Sequence, residues 1–202
     1  MGEPLMNYHN VLKAIEKITS PDGLGMSAKR ITVSTAGLIK QIRQLGDDNV
    51  KFKLAISLHA ANDKKRNEIM PINESNNIKG LVEAINYFYK KTGTEVTFEY
   101  ILFKDFNDSE KDAEELTKIY RQVPADLINI IEYNPVDIFP FDKPDEEGFE
   151  RFVEILQKFR ENIEKYGFTE LYVGKGGKTP SLDYHSEYFI DAKNADLFRT
   201  NK

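Results

Sequence analysis

The 202-residue sequence contains no cysteine and no tryptophan. Its own residues therefore offer no disulfide, no thiolate zinc site, no cysteine nucleophile and no thiolate ligands for an iron–sulfur cluster. Histidine is scarce as well: His9, His59 and His185 are the whole supply, too few for a multi-histidine metal centre. No apolar run approaches the roughly 18 residues of a membrane span, and no charged-then-apolar leader is visible at Met1. Neither sign of charge dominates, since 28 basic residues against 33 acidic ones leave a net charge of -5. Wholesale polyanion binding is excluded, and any nucleic-acid contact must come from a local patch. A soluble cytoplasmic protein without membrane attachment is expected.

What remains is ordinary globular chemistry, with 40% hydrophobic residues, 12 glycines and 8 prolines. Helical and strand patterns alternate along the chain. Residues 7–18 carry Val11, Leu12, Ile15 and Ile18 at helical spacing, and a shorter helix is expected over 38–45. Ile78, Leu81, Val82, Ile85 and Phe88 mark an amphipathic helix, and Ser109 with Asp112 forms a capping box for another reaching residue 122. The last helix is expected over 146–166, with Phe149, Phe152, Val153, Leu156, Phe159 and Ile163 inward and Gly167 as its stop. Apolar or β-branched runs predict five strands, over 30–35, 53–58, 95–102, 127–131 and 168–173. Repeated strand–helix units imply a parallel α/β sheet, either a partial barrel or a doubly wound open sheet. No GxGxxG or phosphate-loop motif follows any strand, which lowers the nucleotide-binding versions of the open sheet.

In parallel barrels, function collects at the carboxyl ends of the strands. Those positions hold Ser34 and Thr35, then Ser57 and His59, then Glu99, then Asn134, with Gly2 and Glu3 joining them if a strand preceded the chain. Such a ring suits a small ligand bearing an amine, a carboxylate and ribose hydroxyls: Glu3 would accept from an ammonium, and Ser34 and Asn134 would bind carboxylate or ribose. Serine and threonine at strand ends serve about as often as simple turn-formers. His59 is read either as a ligand donor or acid–base group, or as a histidine bonded to local backbone. Charge is uneven. Between residues 26 and 53 there are six basic side chains, among them Lys29, Arg30, Lys40 and Arg43, against two acidic ones. Lys64, Lys65 and Arg66 form a second basic cluster; each cluster is read as an RNA-phosphate surface or a solvated helix face. Gly174-Lys-Gly-Gly177 is read as a flexible connector.

These same residues carry a resemblance. Met1-Gly-Glu-Pro-Leu5, Lys29-Arg-Ile-Thr-Val-Ser-Thr-Ala-Gly37, Leu54-Ala-Ile-Ser-Leu-His-Ala60, Asn62-Asp63, Met70-Pro-Ile-Asn73 and Tyr133-Asn-Pro135 resemble, in order and spacing, the radical-SAM RNA methyltransferases of the RlmN/Cfr type. The resemblance covers roughly residues 1–173 and is nearer to RlmN. It implies a partial (β/α) barrel of the radical-SAM type, without its first strands, holding S-adenosylmethionine (SAM) on a [4Fe-4S] cluster. It also implies that Gly2, Glu3, Ser34, Ser57, Leu58, His59 and Asn134 form the cofactor site. The implied activity is radical methylation of C2 of adenine in ribosomal and transfer RNA, with the basic patch facing RNA.

The departures set further expectations. The family's cluster cysteines lie upstream of the Gly2-Glu3 turn, and its methyl-carrying cysteine would fall in the segment after residue 173, where no cysteine stands. The chain as written is therefore expected to be inactive, with residues 1–173 as the partial barrel and 174–202 as a divergent tail. A non-catalytic RNA- or SAM-binding remnant is the second reading, and a phosphosugar barrel enzyme using His59 and Glu99 as acid and base is the third. Loss of the first strands leaves an open sheet edge, through which self-association is expected.

Overall fold

The computed structural model describes residues 2–136, 139–164 and 173–175. A 3-10 turn, Pro4–Asn7, leads into α1 (Tyr8–Thr19). There follow β1 (Thr32–Thr35), α2 (Ile39–Asp47), β2 (Lys53–Ser57), α3 (Asp63–Ile69) and α4 (Ile78–Thr92). Then come β3 (Val96–Leu102), α5 (Glu110–Tyr120), β4 (Ala125–Glu132), α6 (Glu146–Glu164) and β5 (Val173–Lys175). Every strand pairing is parallel, and the spatial order is β1-β2-β3-β4-β5. That order decides between the two expected architectures. A doubly wound sheet reverses its strand order at a switch point, and this one never reverses. Crossovers of one hand then place the helices on one face and leave the other face free to curve inward, as in a partial (β/α) barrel.

Alternation along each strand creates two unlike faces. Leu54, Ile56, Phe98, Tyr100, Ile128 and Ile130 are all 0% exposed beneath the helices. They meet Leu81, Ile85 and Phe88 of α4, Leu116 of α5 and Phe152 of α6 in one continuous core. Tyr100 stacks on Phe152 with ring centroids 5.8 Å apart, and its hydroxyl donates to the Asn107 carbonyl at 3.0 Å. Each fully buried side chain of this size contributes roughly 1.5–3 kcal/mol. The opposite face is more polar. Ser57, Glu99 and Asn129 lie in one register row across β2, β3 and β4, and Ser34, Ala55, Thr97 and Leu127 lie in the next.

Local chemistry explains the helix ends. The Asn77 side chain accepts from the Gly80 amide at 2.9 Å to start α4, and Gly93, in the left-handed region at φ +67°, ends it. The Ser109–Asp112 capping box is present at α5. Helix α3 was not expected, because Asp63-Lys-Lys-Arg-Asn-Glu-Ile69 has no apolar period; the Asn62 side chain, accepting from the Lys65 amide at 3.0 Å, starts it.

Strand ends moved for identifiable reasons. β1 begins at Thr32 instead of residue 30, since Ala28–Arg30 forms a 3-10 turn. β2 stops at Ser57, because the Leu58 and His59 amides both donate to the Glu99 carbonyl, at 2.9 and 3.2 Å, and His59 turns to φ +54°. Gly174 and Lys175 pair with Asn129 and Ile130, so they belong to the sheet and not to a connector. The expected strand residues 168–172, the Gly167 stop and the tail from 176 onward lie outside the described residues, as do the Phe159 and Ile163 side chains. Among the described residues no helix is long and apolar enough to cross a membrane.

The core face yields a direct expectation. Phe98→Ala should lower unfolding stability by about 3–5 kcal/mol in urea titration. A loss below about 1 kcal/mol would show that this face of β3 is not buried.

Candidate functional site

The carboxyl ends of β1 and β2 bend beside one another. After β1 the chain turns at Gly37 with φ +96°, where a Cβ would stand 3.2 Å from both Leu81 methyls and 3.5 Å from Arg66 Nη2. Glycine lets both side chains close on this turn. Glu3 comes from far away in sequence and docks here: its Oε2 accepts from the Ala36 amide at 2.6 Å and its Oε1 from the Leu5 amide at 2.8 Å. Each carboxylate oxygen retains a second lone pair for a ligand cation.

A cleft of about 640 Å³ opens between α1 and these strand ends. That volume lies within the usual range of small-molecule sites. Gly2, Glu3, Ser34, Ser57 and His59 line it, and Val11 and Ile15 of α1 give it an apolar wall. Helix α1 is pinned to the end of α2 by the Tyr8 hydroxyl, which donates to Asp48 Oδ2 at 2.6 Å.

His59 is resolved chemically. Its Nδ1 accepts from the Ile101 amide at 3.1 Å. A backbone amide only donates, so Nδ1 carries no proton and the neutral ring holds its proton on Nε2. The ring occupies the position that a β2 carbonyl would take if the ladder continued. The His59 carbonyl accepts from Asn107 Nδ2 at 2.8 Å. Burial, and then the nearby Arg66 cation, lower the imidazole pKa from 6.5 to about 4. Of the two functional roles open at the sequence level, donor and acid–base group, the geometry favours a neutral Nε2–H donor.

Arg66 belongs to the Lys64-Lys65-Arg66 cluster, yet it is neither a solvated helix face nor a surface open to phosphate. It is 0% exposed. Nε donates to the Leu58 carbonyl at 3.0 Å, and Nη2 to the Ala36 and Ser57 carbonyls at 2.7 and 3.0 Å. Nη1 donates to Asn73 Oδ1 at 2.6 Å and to the Asn76 carbonyl at 3.4 Å. All five N–H groups are used, and every acceptor is neutral. Sequence reasoning missed this residue, because a buried arginine in a polar heptapeptide leaves no apolar period. Its neighbour Lys65 pairs with Asp112 and lies over the Phe106 ring, while Lys64 is exposed.

Two expected residues stand apart from the cleft. The Leu58 side chain is 0% exposed in the core, because the residue between Ser57 and His59 must face the other way. Asn134 is exposed, just beyond the end of β4 and outside the cleft lining. Three interstrand steps of ~4.8 Å separate β4 from β1, about 14 Å in all. Glu99 lies on the inner face, where its Oε2 accepts from Asn129 Nδ2 at 2.8 Å; burial raises its pKa and that bond lowers it. The His59 and Glu99 side chains thus bond different partners, and among the described residues no hydrogen bond joins the two side chains. Lys29, Arg30, Lys51 and Lys53 lie at or before the amino ends of β1 and β2 and are not among the residues lining the cleft, although the cleft extends along β1 as far as Thr32. Arg43 pairs with Glu83 at 3.7 Å and lies over the Tyr87 ring.

This singly wound sheet, with its ligand-sized cleft at the carboxyl rim, defines a radical-SAM-type partial barrel. The chain is similar to a radical SAM methyltransferase from Sphaerobacter thermophilus, with a TM-score of 0.77, 35% identity, and 88% of this chain and 50% of that one covered. A domain of pyruvate-formate lyase-activating enzyme from Bacteroides vulgatus shares the fold at a TM-score of 0.60 and 16% identity, covering 88% of this chain and 96% of that one. Sequence kinship is narrower. A probable dual-specificity RNA methyltransferase RlmN from Cytophaga hutchinsonii is 54% identical over 156 residues, 77% of this chain and 42% of that protein. Its counterpart from Christiangramia forsetii is 50% identical over 158 residues, 78% and 45% respectively. No family model matches the chain. The chain is thus homologous to part of an RlmN-type RNA methyltransferase, and it spans less than half the length of these relatives.

The His59 environment has a pH signature. The unfolded ring titrates near 6.5 and the folded ring at about 4, so between these values the unfolded chain binds more protons. Stability should therefore fall as pH drops from about 6.5 to about 4, and this dependence should be shallower in His59→Gln. Ring-nitrogen NMR should show an Nε2–H tautomer at pH 7; a titration midpoint near 6.5 would contradict the assignment.

Proposed function

We propose that the cleft binds SAM and that these residues form the cofactor-holding part of a radical-SAM RNA adenine-C2 methyltransferase. One observation carries this reading. Glu3, Ser34, Ser57 and His59 come from three separated stretches, each resembling the family's cofactor site, and they line a single cleft. Glu3 offers acceptor oxygens for the methionyl ammonium, Ser34 and Ser57 offer hydroxyls, His59 offers Nε2–H, and the α1 wall offers apolar contact. Asn134 would be reached only by a ligand extended along the rim.

The iron–sulfur cluster is another matter. The chain has no cysteine, and among the described residues no group of three histidine, aspartate or glutamate side chains could hold a metal ion. These residues do not fit the cluster, so no step is derived through it. Ribosomal and transfer RNA are the proposed substrates of the complete enzyme, acting in the cytoplasm. Lys29, Arg30, Lys51 and Lys53, at or before the amino ends of β1 and β2, offer cations for contact with RNA phosphates. The same cleft is compatible with a chain that binds SAM and does not turn it over.

We also propose a division between barrel and tail, moved from residue 173 to the end of β5 at Lys175, and association of copies through β1. Among the described residues β1 is paired on one side only, by β2.

Calorimetric titration with SAM tests the reading. Wild-type chain should bind, Ser34→Ala and Glu3→Gln should each weaken binding on the order of tenfold, and anaerobic incubation with iron, sulfide and reductant should yield no 5′-deoxyadenosine. Unchanged affinity in both variants would sink the cofactor assignment, and 5′-deoxyadenosine production would overturn the expected inactivity.

A further inference from the structure

We propose that Arg66 is the positioning residue of this cleft: its guanidinium fastens the carboxyl ends of β1 and β2 together so that Glu3, Ser57 and His59 face one ligand. The proposal deepens the SAM reading of the cleft and rests on it.

The bonding pattern carries the proposal. Nη2 alone holds Ala36 on β1's side and Ser57 on β2's side, while Nε takes the next β2-side carbonyl, that of Leu58. Ala36 is gripped from both directions, with its amide on the Glu3 carboxylate and its carbonyl on Arg66. Glu3 and Arg66 therefore hold the same residue of the cleft wall from opposite sides. From Leu58 the next residue is His59, whose ring is tied in turn to Ile101. One planar cation thus bonds the backbone of Ala36, whose amide holds the Glu3 carboxylate, and of Ser57 and Leu58, the first bearing the cleft's hydroxyl and the second preceding its imidazole.

The energetics favour positioning over general stabilisation. A buried cation is costly without a direct anionic partner. The nearby Asp63 does not supply one: its Oδ1 accepts instead from Asn73 Nδ2 at 3.0 Å and from the Ile78 amide at 2.9 Å. A hydrocarbon of similar volume is often the better choice for stability alone. It could not bond three rim carbonyls. Lysine could not do so either, since an ammonium carries three donors at one point and lacks the planar fork. Burial and the Coulomb field of Arg66 both bear on His59, which gives the arrangement a spectroscopic reporter inside the cleft.

The experiment compares wild-type chain with Arg66→Lys, which keeps the charge and loses the fork, and Arg66→Gln, which loses the charge. SAM affinity is measured by calorimetry, the His59 ring nitrogens by NMR, and folding by thermal melting. Both variants should bind SAM on the order of tenfold or more weakly. His59 should shift in both, with its pKa rising from about 4 toward 6.5 in Arg66→Gln and changing less in Arg66→Lys. Ser34→Ala should weaken SAM binding and leave the His59 ring signals in place. Wild-type affinity in either cooperatively melting variant overturns the proposal. So does weakened binding with His59 unmoved, since the arginine would then serve the fold at large.

If wild-type chain does not bind SAM, the cofactor reading fails, and the His59 signals alone decide whether Arg66 orders the rim. If neither variant melts cooperatively, wild-type guanidinium signals decide: Arg66 Nη resonances that are resolved by hindered rotation and shift with SAM support the proposal, and averaged, unresponsive ones overturn it.

Discussion

A guanidinium removed from water must find acceptors for five N–H groups, and Arg66 finds them only where several segments converge. Three of its acceptors are carbonyls at the ends of β1 and β2, and two belong to the turn before α4. That requirement explains why α3, a helix with little apolar content, lies where it does. The loop after β1 needs a glycine at position 37 for a different reason, since its φ of +96° strains any other residue and a Cβ there would press on Leu81. The cleft follows from these constraints. Once the two strand ends are fixed, Ser34 and Ser57 face the same hollow, and Glu3 is drawn in by the Ala36 amide.

The sheet was legible in the sequence because its physics is periodic. β-branched and aromatic runs alternating with amphipathic stretches allow few arrangements, and the Ser109–Asp112 cap and the α4 stripe could be located from spacing alone. The choice between partial barrel and open sheet was not legible in periodicity, because strand order is a property of long-range pairing; only the family resemblance pointed to the barrel. The site was legible in part. Ser34, Ser57 and His59 stand at strand ends, and a parallel sheet brings strand ends together. Leu58 fell between two inward-facing residues and so faced the core. Asn134 stood at a comparable strand end but three strands away, a distance that linear spacing does not report. Arg66 was hidden for the opposite reason. Its neighbours Lys64 and Lys65 made it look like part of a solvated run, and only tertiary burial distinguishes it.

His59 illustrates how a fold narrows chemistry. In the sequence it was a possible base, acid or donor. In the structure the Ile101 amide claims one ring nitrogen, and the buried cation behind it opposes a second proton. What remains is a directional donor at the cleft. This is the behaviour of a binding group, and it agrees with the proposal that the cleft binds a cofactor.

The most direct measurement is a map of backbone amide shifts as SAM is added to the chain. Binding in the cleft predicts that changes concentrate at Gly2, Glu3, Ser34, Ala36, Ser57 and His59, while Lys51, Lys53 and the amino ends of β3 and β4 stay unperturbed. Changes centred on those amino ends, or none at saturating ligand, would contradict the assignment of this cleft as the cofactor site.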